Sequence, residues 1–289
     1  MAGSYLHLLI ADDLWPRLFY DLPGDGTERA SFLGGVLGPD IGFFPGGPRT
    51  FSERVHHEHT ADLVHALQAA ANGPAERCFA AGWALHVYTD VAIHPLVNDR
   101  ADVLRRALGR HGDTREDLYH KRVEWGLDCH SIESDPHHRF PWRFPLSFPP
   151  SLAASLLGRT ATRFFGSEAS EDAFAAGWKT TQRWVRRIGP IFVWTGSCRP
   201  VSAGVVSRVI GKGIGGLTGW AAQLPILIER PEWEDEVAIA SPVEPDLALV
   251  AEVTAATAQM VEEYIDGWHD DFSGLRNFDL DNGELIAVP

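Results

Sequence analysis

The chain has 289 residues, 45% of them hydrophobic and 22% charged, which is enough to bury a substantial core and argues against disorder over most of its length. A formal net charge of −14 speaks against a general nucleic-acid-binding surface, which needs a basic stripe. The three cysteines, Cys78, Cys129 and Cys198, are too widely spaced for a CxxC pair and suggest no disulfide framework; Cys78 lies in an apolar run and reads as a core thiol.

The first residues, Met1-Ala2-Gly3-Ser4-Tyr5-Leu6-His7, have neither a basic region nor a long apolar one, so no classical signal peptide is expected. No uncharged stretch approaches the length of a transmembrane helix, and a cytoplasmic protein is the simplest expectation. Residues 3–13 predict a short helix with Leu6, Leu9 and Ile10 on its apolar side, disturbed near Pro16. A second helix is expected from Thr27 to Leu37, closed by Gly38-Pro39, and Asp40 to Pro48 reads as a turn-rich loop. Ser52 is a candidate N-cap for a helix over 53–72, ended by Gly73-Pro74. A long apolar helix covers roughly 75–95, where Pro95 marks a kink or a stop, and a more polar one covers 99–110. Thr114 to about His130 forms another. Residues 136–150 contain five prolines and read as an irregular connection, after which helices are expected over 149–165, 168–187, about 200–223 and 244–267. Period-two alternation is scarce throughout. The expected fold is all-α, a single multi-helix domain over 1–289, with a histidine-rich half (1–135) and a helical remainder (136–289) that includes a possible lid at 201–224.

The chemistry concentrates in His86-Val-Tyr-Thr-Asp90, followed by His94 and then by His120-Lys-Arg-Val-Glu124. Residues four apart on an α-helix share a face, so His86, Asp90 and His94 form one polar stripe through an otherwise apolar segment. Burying unpaired imidazoles and carboxylates is costly unless they satisfy one another or bind a cation. A single His–Asp pair at this spacing is usually an exposed ion pair. Two such pairs, a third histidine in phase, and twelve of the thirteen histidines within the first 138 residues favour a metal centre. Imidazole nitrogen and carboxylate oxygen are the ligand set of zinc sites that keep a position open for water.

Two other motifs carry less. Gly211-Lys212-Gly213-Ile214-Gly215-Gly216 matches the dinucleotide fingerprint formally but lacks the preceding strand and the later acidic residue. Its apolar surroundings suggest a lid, a patch for acyl chains or close helix packing. His269-Asp270 is an HD dipeptide without the partners an HD phosphohydrolase needs, and it reads as a solvated helix end.

The ordered set His7, Gly38-Pro39-Asp40, Val55-His56-His57-Glu58-His59-Thr60, Gly82-Trp83-Ala84-Leu85-His86, Asp90, His94-Pro95 and His120 with Glu124 resembles the zinc-dependent phospholipase C family, which shares its fold with the S1/P1 nucleases. The resemblance covers roughly residues 1–125. It implies two to three zinc ions in a cleft between helices. By position, Asp40, His56, His86 and Asp90 would hold the first ion, and His94, His120 and Glu124 the second. The N-terminal backbone, His7 and Asp90 would hold the third, with Asp90 bridging. His56 is preferred within its cluster because His56 and Thr60 match a family spacing; His57 and His59 are the alternatives. His94 follows Asp90 by four residues, as in an uncharacterised bacterial branch, where secreted relatives leave a longer gap. Removal of Met1 would place the amine of Ala2 five residues before His7.

The implied activity is hydrolysis of a phosphate ester, as in a phospholipase C-like phosphodiesterase, with metal-activated water attacking phosphorus and Asp40 orienting or deprotonating it. The substrate would be a small phosphate ester or a phospholipid met in transient membrane contact. Nucleotides remain open, with Phe44, Trp83, Trp125 or Trp142 available to stack a base. A metal-binding protein of the same scaffold with a biosynthetic or purely structural role is the alternative from another class.

Overall fold

The computed structural model describes residues 3–19, 26–44, 46–107, 150–166, 170–195 and 247–286, together with 119–120, 123–124, 126–128 and 130–131. Ala2, His111, Cys129, Cys198, the Gly211–Gly216 motif, the expected 200–223 helix and the expected 201–224 lid lie outside these residues, as do Trp125 and Trp142.

The all-α expectation is borne out. Among the described residues there is no strand, only an isolated antiparallel bridge between Phe278 and Leu285. The helices are α1 (Ser4–Leu18), α2 (Thr27–Val36), a 3₁₀ turn (Pro39–Phe43), α3 (Arg49–His57), α4 (Thr60–Ala70), α5 (Pro74–Ala107), α6 (Pro150–Phe165), α7 (Glu171–Thr195) and α8 (Leu247–His269). The described positions between 119 and 131 are helical as well.

The helix expected over 168–187 runs to Thr195; three other boundaries differ from the sequence expectation, each for a physical reason. First, α1 runs on through Pro16 to Leu18. The proline lies in the final turn, where it costs little more than one hydrogen bond. Second, the segments expected at 75–95 and 99–110 form one helix of 34 residues that continues through Pro95. Third, the single helix expected over 53–72 is two. Glu58 is extended and His59 is left-handed (φ 54°), so the chain turns between α3 and α4. Ser52 is therefore inside α3 rather than its cap, and its Oγ accepts the Gly42 amide at 2.7 Å. The break is stabilised from far along the chain. Asn277 Oδ1 accepts the amides of Ala61 and Asp62 at 2.8 and 3.1 Å, and Thr60 Oγ1 exchanges hydrogen bonds with the Phe278 backbone. These are the free donors of a helix N-terminus, satisfied by a partner that no local pattern reveals.

α5 is the central element. Phe79, Trp83, Leu85 and Val87 are buried along it, as are Phe32, Leu33 and Val36 on α2. The two helices approach closely because glycine stands at each crossing point. A Cβ on Gly35 would lie 2.0 Å from the Phe79 carbonyl oxygen, and one on Gly82 would lie 2.0 Å from that of Phe32. On another face of α5, buried Tyr264 of α8 donates its hydroxyl to the Ala81 carbonyl at 2.9 Å. Phe51 of α3 makes edge contacts with Phe165 of α6 and Phe174 of α7, so α6 and α7 share the same core. Cys78 is buried there, and burial, with Glu28 nearby, pushes its thiol up to about 12; the core-thiol expectation fits.

The tight α2–α5 crossing makes a specific prediction. Gly82→Ala should lower the free energy of unfolding by about 1–3 kcal/mol, the usual range for overpacking. Gly274→Ala, where a Cβ meets nothing within 4 Å, should change it by less than about 0.5 kcal/mol. Urea unfolding of the two variants checks the contrast.

Candidate metal centre

α5 carries His86, Asp90 and His94 on one face, as the four-residue spacing requires, and that face is buried against the N-terminal turn of α1, the 3₁₀ turn and α3. Asp90 is 1% exposed. Four imidazoles reach it. His7 Nε2 is 2.9 Å and His94 Nε2 3.3 Å from Oδ1, while His86 Nε2 is 2.9 Å and His56 Nε2 3.7 Å from Oδ2. Asp40, at the start of the 3₁₀ turn, lies 3.4 Å from His56 Nε2 and 4.0 Å from His86 Nε2. Glu124 lies 3.3 Å from His94 Nε2 and 3.4 Å from His120 Nε2.

The eight principal residues expected from the sequence are thus together. Their donor atoms form three compact groups: His7, His86 and Asp90; Asp40, His56 and His86; and His94, His120 and Glu124. His86 falls in two of these groups. His57 and His59 do not enter the centre. His57 is half exposed and faces Asp279 and Asp281 at 3.2 and 3.5 Å, and His59 bonds Asp62 at 2.8 Å on the surface. His65 is elsewhere too, bonded to the Phe272 carbonyl, and His269 is exposed at the end of α8.

Every imidazole in the centre is held by its other nitrogen. Nδ1 donates to Gly3 O in His7, to Ser52 O in His56, to Val36 O in His86 and to Leu280 O in His94, at 2.7–2.8 Å; in His120 it donates to Asn98 Oδ1 at 2.6 Å. A carbonyl oxygen can only accept, so each ring has its proton on Nδ1 and turns Nε2 inward. This is the outer-shell arrangement that orients metal-ligating histidines. Two atoms strengthen the fit. His86 Nε2 and Asp90 Oδ2 are buried with no hydrogen-bond partner, despite their 2.9 Å approach. Ligand atoms about 2.0–2.1 Å from a tetrahedral zinc ion sit about 3.3 Å apart, and the separations here bracket that value. The donor set and its spacing fit a zinc cluster.

Electrostatics point the same way. Burial lowers the His7 and His94 pKa values, but neighbouring carboxylates outweigh it: Asp90 and Asp40 raise His7 to about 9, and Asp90 and Glu124 raise His94 to about 10. Burial raises Asp40, yet His86 and His56 bring it down to about 2. Asp90 and Glu124 are likewise held low, against burial, by the histidines around them. The carboxylates are therefore ionised at neutral pH, ready for a cation.

Four contributors escape a motif reading. Asp128 lies four residues after Glu124 and accepts the amides of Gly3, Tyr5 and Leu6 at 2.9, 3.4 and 2.9 Å, fixing the start of α1 against the centre. Burial, with Glu124 nearby, pushes its carboxyl up to about 7 against the lowering effect of those amides. Gly3 is left-handed (φ 88°), and a Cβ there would sit 2.9 Å from Glu124 Oε1, so only glycine fits this turn without a shift. Asn98 continues the α5 stripe four residues after His94. Helical phase could have found Asp128 and Asn98; Leu280 is a backbone contact with no sequence signal.

The centre opens into a cleft of about 740 Å³ whose walls add Arg49, Glu53, Arg105, Asp102, Asp281 and Asn282 to the cluster. Apolar side chains are few there, chiefly Phe43 and Tyr119.

A family model described as zinc dependent phospholipase C matches residues 6–156. No curated protein and no solved structure matches the chain. The match spans all eight principal residues and excludes Leu280 and the rest of the C-terminal segment.

The pKa shifts predict a pH signature. In metal-free protein, His7 and His94 have folded values above the ordinary 6.5, so their stabilisation is complete below about 6.5 and is lost as pH rises through about 9–10. Zinc requires neutral imidazoles, so its binding gains as pH rises over the same window. The gap in thermal midpoint between zinc-loaded and metal-free protein should widen from pH 6.5 to 9 at fixed free zinc. A gap that narrows over this range would contradict the assignment.

Proposed function

The chain belongs to the zinc-dependent phospholipase C family, and from that premise we propose that it is a zinc-dependent phosphoric ester hydrolase, a phospholipase C-like phosphodiesterase. The observation that carries the reading is the common orientation of five imidazoles, each fixed through Nδ1 and turned by Nε2 toward Asp40, Asp90 and Glu124.

Asp40, His56 and His86, with Asp90, would hold one ion; His94, His120 and Glu124 a second; and His7 with Asp90 a third, to which the N-terminal amine of a processed chain could add a ligand. Zinc so held supplies Lewis acidity, lowering the pKa of water and stabilising charge on phosphoryl oxygens. The protein's own groups set the geometry. Asp90 ties the sites together through both carboxylate oxygens. Asp40 is partly open to the cleft and ionised, so it can accept a hydrogen bond from the attacking water and orient it. Asp128 and Gly3 hold the N-terminal turn, and with it His7, in place.

Access supports turnover rather than a closed structural site, since Asp40, His56, Asp90, His94, His120 and Glu124 all line the cleft. Bound zinc, with Arg49 and Arg105 in walls that carry few apolar side chains, would suit the charged phosphate end of a substrate better than an acyl chain, so a phospholipid would present its headgroup here and leave its tails outside. No helix among the described residues is long and apolar enough to cross a membrane.

The test pairs metal analysis with turnover. Purified protein should carry two to three equivalents of zinc, and chelation should abolish hydrolysis of an aryl phosphodiester, with recovery on zinc addition. Asp90→Asn should lose at least about 100-fold in turnover together with bound zinc, because even outer-shell losses cost 10–100-fold. His65→Ala and His269→Ala should retain both. Less than one equivalent of zinc after reconstitution would overturn the reading. Comparison of a short-chain phospholipid, an aryl diester and a nucleotide as substrates then assigns the class.

A further inference from the structure

The segment after α8 folds into a small hairpin, 277–286, that packs directly on the metal centre. Its own bonds are Asp279 N to Glu284 O and Gly283 N to Asp279 O, both 2.8 Å, and Ile286 N to Asn277 O at 2.9 Å. Leu280 at its tip is fully buried. The peptide groups of this one residue touch two of the three donor groups. Leu280 N donates to the His56 carbonyl at 2.8 Å, and the Leu280 carbonyl accepts His94 Nδ1 at 2.7 Å. Asn98, which orients His120, donates its amide to the Asp281 carbonyl.

We propose that the C-terminal hairpin is a positioning element of the metal centre, with the Leu280 backbone fixing His94 and coupling its donor group to that of His56, so that docking of the hairpin and binding of zinc are thermodynamically linked. The inference rests on the zinc reading above. It also goes beyond it, because the hairpin lies outside the stretch matched by the family.

The docking is built to be close. Gly283 is left-handed (φ 74°), and a Cβ there would lie 2.9 Å from the Val91 carbonyl oxygen and 3.0 Å from Pro95 Cγ. Val91 O is the carbonyl that Pro95, lacking an N–H, leaves without its helical donor. The proline inside α5 and the glycine of the hairpin therefore fit one another directly beside His94. Asn277 and Thr60 anchor the base of the hairpin at the α3–α4 break, one helical turn from His56.

Linkage makes the proposal measurable, since the factor by which docking tightens zinc binding equals the factor by which zinc tightens docking. Loss of an outer-shell partner typically weakens metal binding 10–100-fold. Zinc should accordingly slow hydrogen exchange at the Leu280 and Gly283 amides of the full chain by about 10–100-fold relative to amides of α8. Gly283→Ala, which strains the turn and presses on Val91, should weaken zinc binding while leaving the helical content of the metal-free protein unchanged. If the native chain binds zinc and exchange at these two amides does not slow, the coupling is wrong while the metal centre stands. Unchanged zinc affinity in a folded Gly283→Ala variant would likewise overturn it. If the native chain takes up no zinc at all, the metal reading itself fails.

Discussion

A carboxylate buried at the middle of a 34-residue helix is the constraint on which the rest of this structure depends. Asp90 could not remain ionised in that position without partners, because moving a lone carboxylate out of water costs several kcal/mol. Its two oxygens are met by His7 and His94 on one side and His86 and His56 on the other. Those imidazoles come from α1, α3 and α5, so satisfying one charge requires three elements to converge. Shared protons can balance the cluster when metal is absent, and divalent ions can do so when it is present. Two or three such ions against Asp40, Asp90 and Glu124 leave a net positive centre, the sign needed to attract a phosphate ester into an otherwise acidic chain.

The arrangement explains features that would be liabilities elsewhere. Glycine at positions 35 and 82 removes packing volume, yet it lets α2 approach α5 closely enough for the Val36 carbonyl to hold His86. The left-handed Gly3 closes a turn whose carbonyl holds His7, while Asp128 accepts the amides at the start of α1 that have no helical acceptor. Pro95 breaks one helical hydrogen bond beside His94, where the hairpin supplies the ring's acceptor. In each case a local irregularity places a backbone oxygen behind an imidazole.

Much of this was legible in the sequence, and the reason is periodicity. His86, Asp90 and His94 must share a face of any helix that contains them, and the apolar residues between them require that the face be buried. The same logic extends to Asn98 and, from Glu124, to Asp128, both of which follow the stripe by four residues and serve the site without standing out as ligands. Helical phase also separates His56 from its neighbours: its Nδ1 reaches Ser52 O one turn earlier, whereas His57 lies out on the cleft wall against Asp279 and His59 bonds Asp62 at the surface. What periodicity does not carry is a tertiary cap. The α3–α4 break depends on Asn277, 216 residues beyond Ala61, and the acceptor for His94 is a backbone carbonyl 186 residues away. Backbone groups look alike in every residue, so no composition or spacing announces them. Proline, by contrast, does not by itself end a helix: α1 runs two residues past Pro16 and α5 continues through Pro95, because the local cost is a few kcal/mol and a well-packed helix can exceed it.

The most direct test of the account is a crystal structure of zinc-loaded protein with ions located by anomalous scattering at the zinc edge. The account predicts two or three ions bound through Nε2 of His7, His56, His86, His94 and His120 at about 2.0–2.1 Å, with Asp90 bridging and Nδ1 still on the Gly3, Ser52, Val36, Leu280 and Asn98 acceptors. Ions ligated instead by groups on the cleft wall such as His57 and Asp279, with the Asp90 cluster closed on itself, would contradict it.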